Sequence, residues 1–475
     1  VIDIKEYKIH KNKEFISIDM SLSWGKEDTN NYYKKYMNPQ LANLLNLLGL
    51  TKHFVEAQGT KVWDERREVY TDFLGAYGSL NIGHNNEYVI KSLEKVKATP
   101  NLLQTFINPI TTALAINLAT IAPGNLQHTF FCNSGAEAVE GALKLAKIAT
   151  GKSRIVYCKG SFHGKSLGAL SVTGRNKYKQ YFGPLVPLSQ EVTYGCIDEL
   201  HNVLKKYNDI SAFIVEPIQG EGGIIVPPKG YLKKAEALCK QHKVLLIIDE
   251  VQTGFGRTGY WFSSDEENVY PDILCMAKSL GGGVMPIGAY ITTQEVWNKG
   301  YGSLEKCLLH TSTFGGNTWA SAAAIATLEY IQQHNLVEET KIKGGYLLKQ
   351  LQVLKDKYPL LKEVRGKGLM IGLEFHSVKD NRFFNKFLKG KTGELLEEYV
   401  GGLIATELLN NYNIITAYTL NNPNVIRIEP PLTISYEELD GFVYALENIL
   451  KKYKGVTALA INNFKNIFQS TLRRS

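Results

Sequence analysis

Lys278 is the residue whose surroundings most invite chemistry. It ends the apolar run ILCMA and precedes Ser279 and three glycines. A desolvated lysine loses its proton more readily and attacks carbonyl carbon. The glycines admit close backbone approach, although a lysine on a plain surface turn has the same local sequence. Asp249 and Glu250 close a second apolar run, KVLLIIDE (243–250). Two acids behind buried aliphatics are costly unless a cation meets them or they cap the next segment. Phe162, in Ser161-Phe162-His163-Gly164, follows the strand-like RIVYCKG (154–160). There an aromatic beside a glycine turn can stack on a flat ring, or serve only as a core residue. Ser134, Gly135 and Ala136 follow HTFFCN (128–133) and open a helical stretch, where backbone N–H groups favour an anion. A simple helix cap fits the same residues. HTSTFGGN (310–317), with Thr313, offers a second anion contact.

Taken together, these groups form an anion cradle, a stacking aromatic, a buried acid and a nucleophilic lysine. The combination suits a phosphorylated aromatic aldehyde.

The elements that would position them alternate. Strands are expected at 128–133, 154–160, 211–217, 243–250 and before Lys278, with helices at 113–122, 138–149 and 231–241. Continuous apolar strands separated by helices indicate a mostly parallel α/β sheet. In such sheets ligands bind beyond the carboxyl ends of the strands, where these residues stand. From about 358 the pattern changes. VRGKGLMIGLEF (364–375) alternates, a helix is expected near 395–410, a strand at 425–431 and a last helix at 436–453. This reads as a smaller α+β domain. The expected division is an arm at 1–55, a first part of the small domain at 56–110, a large domain at 111–355, the rest of the small domain at 356–455 and a basic tail at 456–475. In the arm, 41–50 is an apolar patch able to form a short helix.

Composition narrows the class. A chain of 475 residues with 44% hydrophobic and 21% charged is ordinary globular material, long enough for two or three cores. The net charge of +8 reads as a solvated lysine-rich surface, and no basic block interleaved with aromatics suggests a nucleic-acid groove. Six scattered cysteines without a CxxC pair, and ten dispersed histidines, point away from disulfides and metal and toward a reducing compartment, taken as the cytoplasm. No apolar run is long enough to span a bilayer. A start at Val1 suggests trimming, or a piece of a longer polypeptide.

NSGAEAVEGALKLAK, FHGKSLGALS, VEPIQGEGG, LIIDEVQTGFGRTG, PDILCMAKSLGGG and TSTFGGN occur in this order. On them the chain, from about 55 to 453, resembles the class III aminotransferases, fold-type I enzymes that use pyridoxal phosphate. FHGKSLGALS, GGGVMPIGA and IRIEPPLT incline the resemblance toward putrescine (diamine) aminotransferases, with ornithine and acetylornithine aminotransferases as near relatives.

The resemblance implies roles. Lys278 anchors the cofactor as a Schiff base and carries the proton. Asp249 pairs with the pyridine nitrogen, Gln252 approaches the phenolic oxygen, and Phe162 stacks on the ring with His163 beside it. Ser134, Gly135 and Ala136 cradle the phosphate, which Thr313 reaches from a neighbouring subunit of a homodimer able to pair into tetramers. Glu221 and Arg427 match a pair that admits two differently charged substrates. The implied reaction is ping-pong transfer from a terminal amine, putrescine or an omega-amino compound, to a 2-oxo acid such as 2-oxoglutarate. Alternatives are an aminotransferase domain of a larger enzyme aminating an aldehyde, an ornithine-type enzyme, an aminomutase or decarboxylase, and a non-catalytic relative. One departure stands out: Thr318 and Trp319 follow FGGN where the family has Pro and an aliphatic residue. Trp319 is therefore expected to alter packing near the phosphate or the site entrance.

Overall fold

The computed structural model describes residues 15–47, 49–103, 105–376 and 400–453. The basic tail and residues 395–399 of the expected helix lie outside these. The chain divides into two compact units, Val1–Glu56 with Trp63–Val69, and Ala57–Val62 with Tyr70–Ser475.

The first unit is more helical than its weak periodicity suggests. Helices cover Ile18–Leu22, Lys26–Tyr36 and Pro39–Leu47. The middle one buries none of its residues. Its acids, Glu27 and Asp28, sit in the first turn and Lys34 and Lys35 in the last, which suits the helix dipole. Such a helix lacks the apolar stripe by which periodicity is recognised.

The second unit is built on a seven-stranded sheet. Its strands are β1 (Leu126–Cys132), β2 (Arg154–Cys158), β3 (Ser189–Val192), β4 (Ile210–Val215), β5 (Leu245–Asp249), β6 (Ile273–Met276) and β7 (Gly288–Thr293). They lie in the order β1-β7-β6-β5-β4-β2-β3. Only β7 runs against its neighbours, pairing antiparallel with β1 and β6. This is the mixed, largely parallel α/β architecture expected. β4 is buried throughout, as its largely apolar sequence, broken only by Ser211, requires of a strand covered on both faces. Helix α1 (Gly135–Thr150) buries Ala138, Val139, Ala142, Leu143, Leu145 and Ala146 and ends at Gly151, a left-handed cap at φ 67°.

The C-terminal pattern resolves into a hairpin and two helices. β8 (Leu361–Lys367) and β9 (Met370–Phe375) pair antiparallel across Gly368, whose φ of 53° lets the chain reverse. They belong to a four-stranded sheet with β10 (Ala417–Tyr418) and β11 (Val425–Ile428), ordered β8-β9-β11-β10. Helix α2 (Val400–Tyr412) and helix α3 (Tyr436–Lys452) accompany it. A reciprocal Ser435–Glu438 capping box starts α3. β7 and the 22-residue helix Leu336–Lys357 were not legible as elements.

Candidate active site

Loops at the carboxyl ends of the parallel strands enclose a cavity of about 570 Å³. That size suits a cofactor-sized ligand. Ser134, Gly135, Ala136, Phe162, His163, Asp249, Gln252 and Lys278 all line it.

The anion end is the start of α1. Ser134 is the N-cap, its hydroxyl accepting from Glu137 N at 3.2 Å. The cap reading of this serine therefore holds. It leaves the first N–H groups of the helix, Gly135 and Ala136, without intrahelical partners. Gly164, at φ +126°, presses on this turn so closely that a Cβ would stand 2.7 Å from Ala136 Cβ.

Asp249 ends β5 and stays buried. His163 Nδ1 donates to its Oδ2 at 2.7 Å, and Val251 N donates to Oδ1 at 3.0 Å. A carboxylate has about four lone-pair positions, so Asp249 can still accept from a ligand. His163 Nε2 is buried with no hydrogen-bond partner among the described residues. Phe162 is half-buried, its N–H donating to Glu216 Oε1 at 2.9 Å.

Lys278 follows β6 after Ala277. Its φ of 47° is unusual for a side-chain-bearing residue and costs about 1–3 kcal/mol. Burial pulls its ammonium below the ordinary lysine range, against Glu429, Glu221 and Asp249, which favour the charged form.

Glu221 and Arg427 are brought together beside this cavity, outside its lining. Glu221 Oε2 lies 2.7 Å from Arg427 Nη2 and accepts from Leu420 N at 2.9 Å. Burial opposes charge on Glu221, but Arg427 and that N–H hold its carboxyl below the usual range. Arg427 Nη1 is 3.5 Å from Glu429 Oε2. Although buried, the Arg427 nitrogens have no aligned hydrogen-bond acceptor among the described residues. Burial opposes the charged form of this guanidinium, but Glu221 first and Glu429 second favour it.

Thr313 is exposed and does not line its own chain's cavity. Trp319 is not among the residues that line its own chain's cavity and packs against the apolar core. Thr318, at the helix start where proline was anticipated, keeps an N–H that donates to Asn101 O at 3.2 Å. Its hydroxyl donates to Pro100 O at 2.7 Å and accepts from Asn108 Nδ2 at 2.7 Å.

Two acids escaped sequence reasoning. Glu216 directly follows β4, as acids follow β5, and burial pushes its carboxyl up to about 7. Glu429 is fully buried, and both its oxygens accept from Gln252 Nε2, at 2.8 and 3.0 Å. Its signal was the spacing: positions two apart near a strand share a face, so Glu429 follows Arg427 to the same side.

The residues present fit a phosphorylated pyridine aldehyde. A helix start would meet its anion, a buried acid its ring nitrogen, an aromatic its face and a deprotonatable amine its carbonyl. The unpartnered His163 Nε2 marks a polar wall facing that space.

Comparison with known proteins agrees. The family description Aminotransferase class-III matches residues 49–450. The chain is 39% identical over 466 residues to aminotransferase PigE of Serratia sp. (strain ATCC 39006), covering 92% of this chain but only 54% of that protein. Its fold matches ornithine aminotransferase from Toxoplasma gondii ME49 with a TM-score of 0.79 and 28% identity, over 97% of this chain and 100% of that one. It also matches an amine transaminase from an uncultivated Pseudomonas species in its pyridoxal-phosphate-bound form, with a TM-score of 0.76 and 30% identity, over 84% and 95% of the two chains. With a family match that spans most of its length and a cavity suited to the cofactor, this chain belongs to the class III aminotransferases, the transaminases that work with pyridoxal phosphate.

Proposed function

We propose that the chain moves an amino group from a terminal amine, putrescine or an omega-amino compound, to a 2-oxo acid such as 2-oxoglutarate, in two alternating half-reactions at one site. The observation that carries this reading is Arg427, a buried guanidinium beside the cavity whose Nη2 stands 2.7 Å from the carboxylate of Glu221. Masked by Glu221, it tolerates an amine without a carboxylate. Unmasked, it offers paired donors to a carboxylate of the acceptor.

When bound, pyridoxal phosphate supplies a carbonyl for the amine and a ring that withdraws electrons. The chain does the rest. Lys278 anchors the cofactor through Nζ, and once displaced its neutral Nζ takes the proton from the carbon bearing the amine. General-base work of this kind is worth about 10²–10⁴-fold. Asp249 keeps the pyridine nitrogen protonated, and His163 holds Asp249 in place. Phe162 packs on the ring, Gln252 meets its phenolic oxygen, and Ser134, Gly135 and Ala136 take the phosphate. Thr313 serves the cavity of a second copy, a reading that its exposure and its absence from its own chain's cavity lining support. We place the homodimer, the large domain at 111–355, the small domain at 56–110 with 356–455, and a cytoplasmic setting on the same footing.

The test is the visible spectrum of the holoenzyme on adding putrescine without acceptor. Bleaching of the cofactor band, restored by 2-oxoglutarate, is expected. A band unmoved by putrescine but bleached by ornithine would replace the diamine with an amino acid.

A second reading is favoured by the length of PigE, of which the chain covers 54%. In it the chain is the aminotransferase part of a longer enzyme and aminates an aldehyde made elsewhere in that enzyme. Amination of an aliphatic aldehyde by the aminated holoenzyme, faster than amination of 2-oxoglutarate, would favour it.

A further inference from the structure

Arg427 has two acidic neighbours, and they are held differently. Glu221 sits in the glycine-rich turn Gly220, Glu221, Gly222, Gly223, its carboxylate tied to the chain by Leu420 N. Glu429 is fixed. Its N–H donates to Phe73 O at 2.8 Å, Pro430 and Pro431 follow it, and both its oxygens accept from Gln252. Its backbone is closely packed: a Cβ on Gly75 would stand 2.4 Å from Glu429 O. On the proposed reading, in which Glu221 leaves Arg427 to admit a carboxylate, Glu429 stays beside it.

We propose that Glu429 is a specificity-determining residue, whose carboxylate keeps Arg427 partly neutralised in every state of the site and so biases it toward amines that carry no carboxylate. The inference rests on Arg427 being the carboxylate-binding group. Glu429 does not line the cavity, so it acts through Arg427 and Gln252 and is a positioning residue. The charge count supports this. Glu221 and Glu429 face one guanidinium, and the aromatic face of Tyr77 lies 5.1 Å from the Arg427 carbon. Burial also leaves Lys278 less able to carry charge. An incoming ammonium improves this balance, and an incoming carboxylate worsens it. Such discrimination is a difference between two affinities, obtained by disfavouring the wrong ligand.

Putrescine and ornithine differ by one carboxylate and make the kinetic pair. Glutarate, with neither amine nor carbonyl to react, makes the binding probe. Holoenzyme, Glu429→Gln, Glu429→Ala and Arg427→Gln are titrated calorimetrically with glutarate, and single-turnover efficiencies are measured for both diamines. Both Glu429 variants should bind glutarate about tenfold more tightly, and should raise the ornithine-to-putrescine ratio by about tenfold, a change equivalent to about 1.4 kcal/mol. Arg427→Gln should weaken glutarate. If it does, while the Glu429 variants leave glutarate and the ratio unchanged, Glu429 has no such role and the reading of Arg427 stands. Equal loss on both diamines with unchanged glutarate would also overturn the inference, because that is what a structural role gives. If Arg427→Gln leaves glutarate unaffected, the carboxylate site falls and the inference with it. Should Glu429→Gln fail to fold, Glu429→Ala decides by the same criteria.

Discussion

His163 Nδ1 stands 2.7 Å from Asp249 Oδ2, and both side chains are buried. The contact turns one carboxylate oxygen toward the loop after β2 and fixes the acid where the cavity begins. His163→Ala should free Asp249 to rotate, without removing its charge. Cofactor affinity should fall about 10-fold, as is usual when a residue that only orients a ligand-holding group is lost. Fluorescence titration of the cofactor-free protein checks this, and Asp249→Ala should fall further, since it leaves the bound ring without its counter-ion.

Lys278→Ala should leave a folded protein that binds pyridoxal phosphate only reversibly. Dialysis would strip the cofactor, and borohydride would fail to fix it to the chain. Because burial lowers the Lys278 value, covalent capture in the wild type should rise with pH and level off below the free-lysine value of about 10.4. A plateau only above that value would contradict the desolvation.

Glu216 predicts a pH signature of stability. Burial raises its carboxyl from 4.5 to about 7, so between those values the folded cofactor-free protein holds a proton that the unfolded chain has released. The group's contribution is complete below the lower value and is lost as pH rises through the upper one. Glu216→Gln, which cannot titrate, should flatten the fall in stability across that window. Urea unfolding of both proteins at several pH values measures the difference.

Thr318→Pro should destabilise the protein by about 1–3 kcal/mol, because it removes an N–H and a hydroxyl that bind the segment 100–108. Thr318→Val keeps the N–H and should cost less. Urea midpoints, compared at unchanged slope, give both numbers.

Much of the sheet was legible because β4, β5 and β6 are almost wholly apolar runs that lead into charged residues. The residues after them were legible for the same reason, since an acid or lysine behind buried aliphatics asks for a partner. β7 was not, because Gly288, Tyr290, Thr292 and Thr293 carry no alternating or continuous apolar signal. Its burial comes from its neighbours. Helix Leu336–Lys357 was hidden by its lysines and paired glycines, and Gly344 is there because a side chain would strike the backbone of Gly368. Glu429 was hidden by distance, its partner Gln252 lying 177 positions earlier.

That distance bears on how the molecule is made. Glu429 N binds Phe73 O, Leu432 N binds Asn81 O and Thr71 N binds Asn413 O, so the wall carrying Arg427 is stitched to a segment synthesised more than 300 residues before it. Strands bearing Asp249 and Lys278 can pair while the ribosome is still at work. The selectivity wall cannot, and long-range closures of this kind are slow. A nascent chain should therefore acquire the pocket for its cofactor before it acquires any ability to choose between substrates.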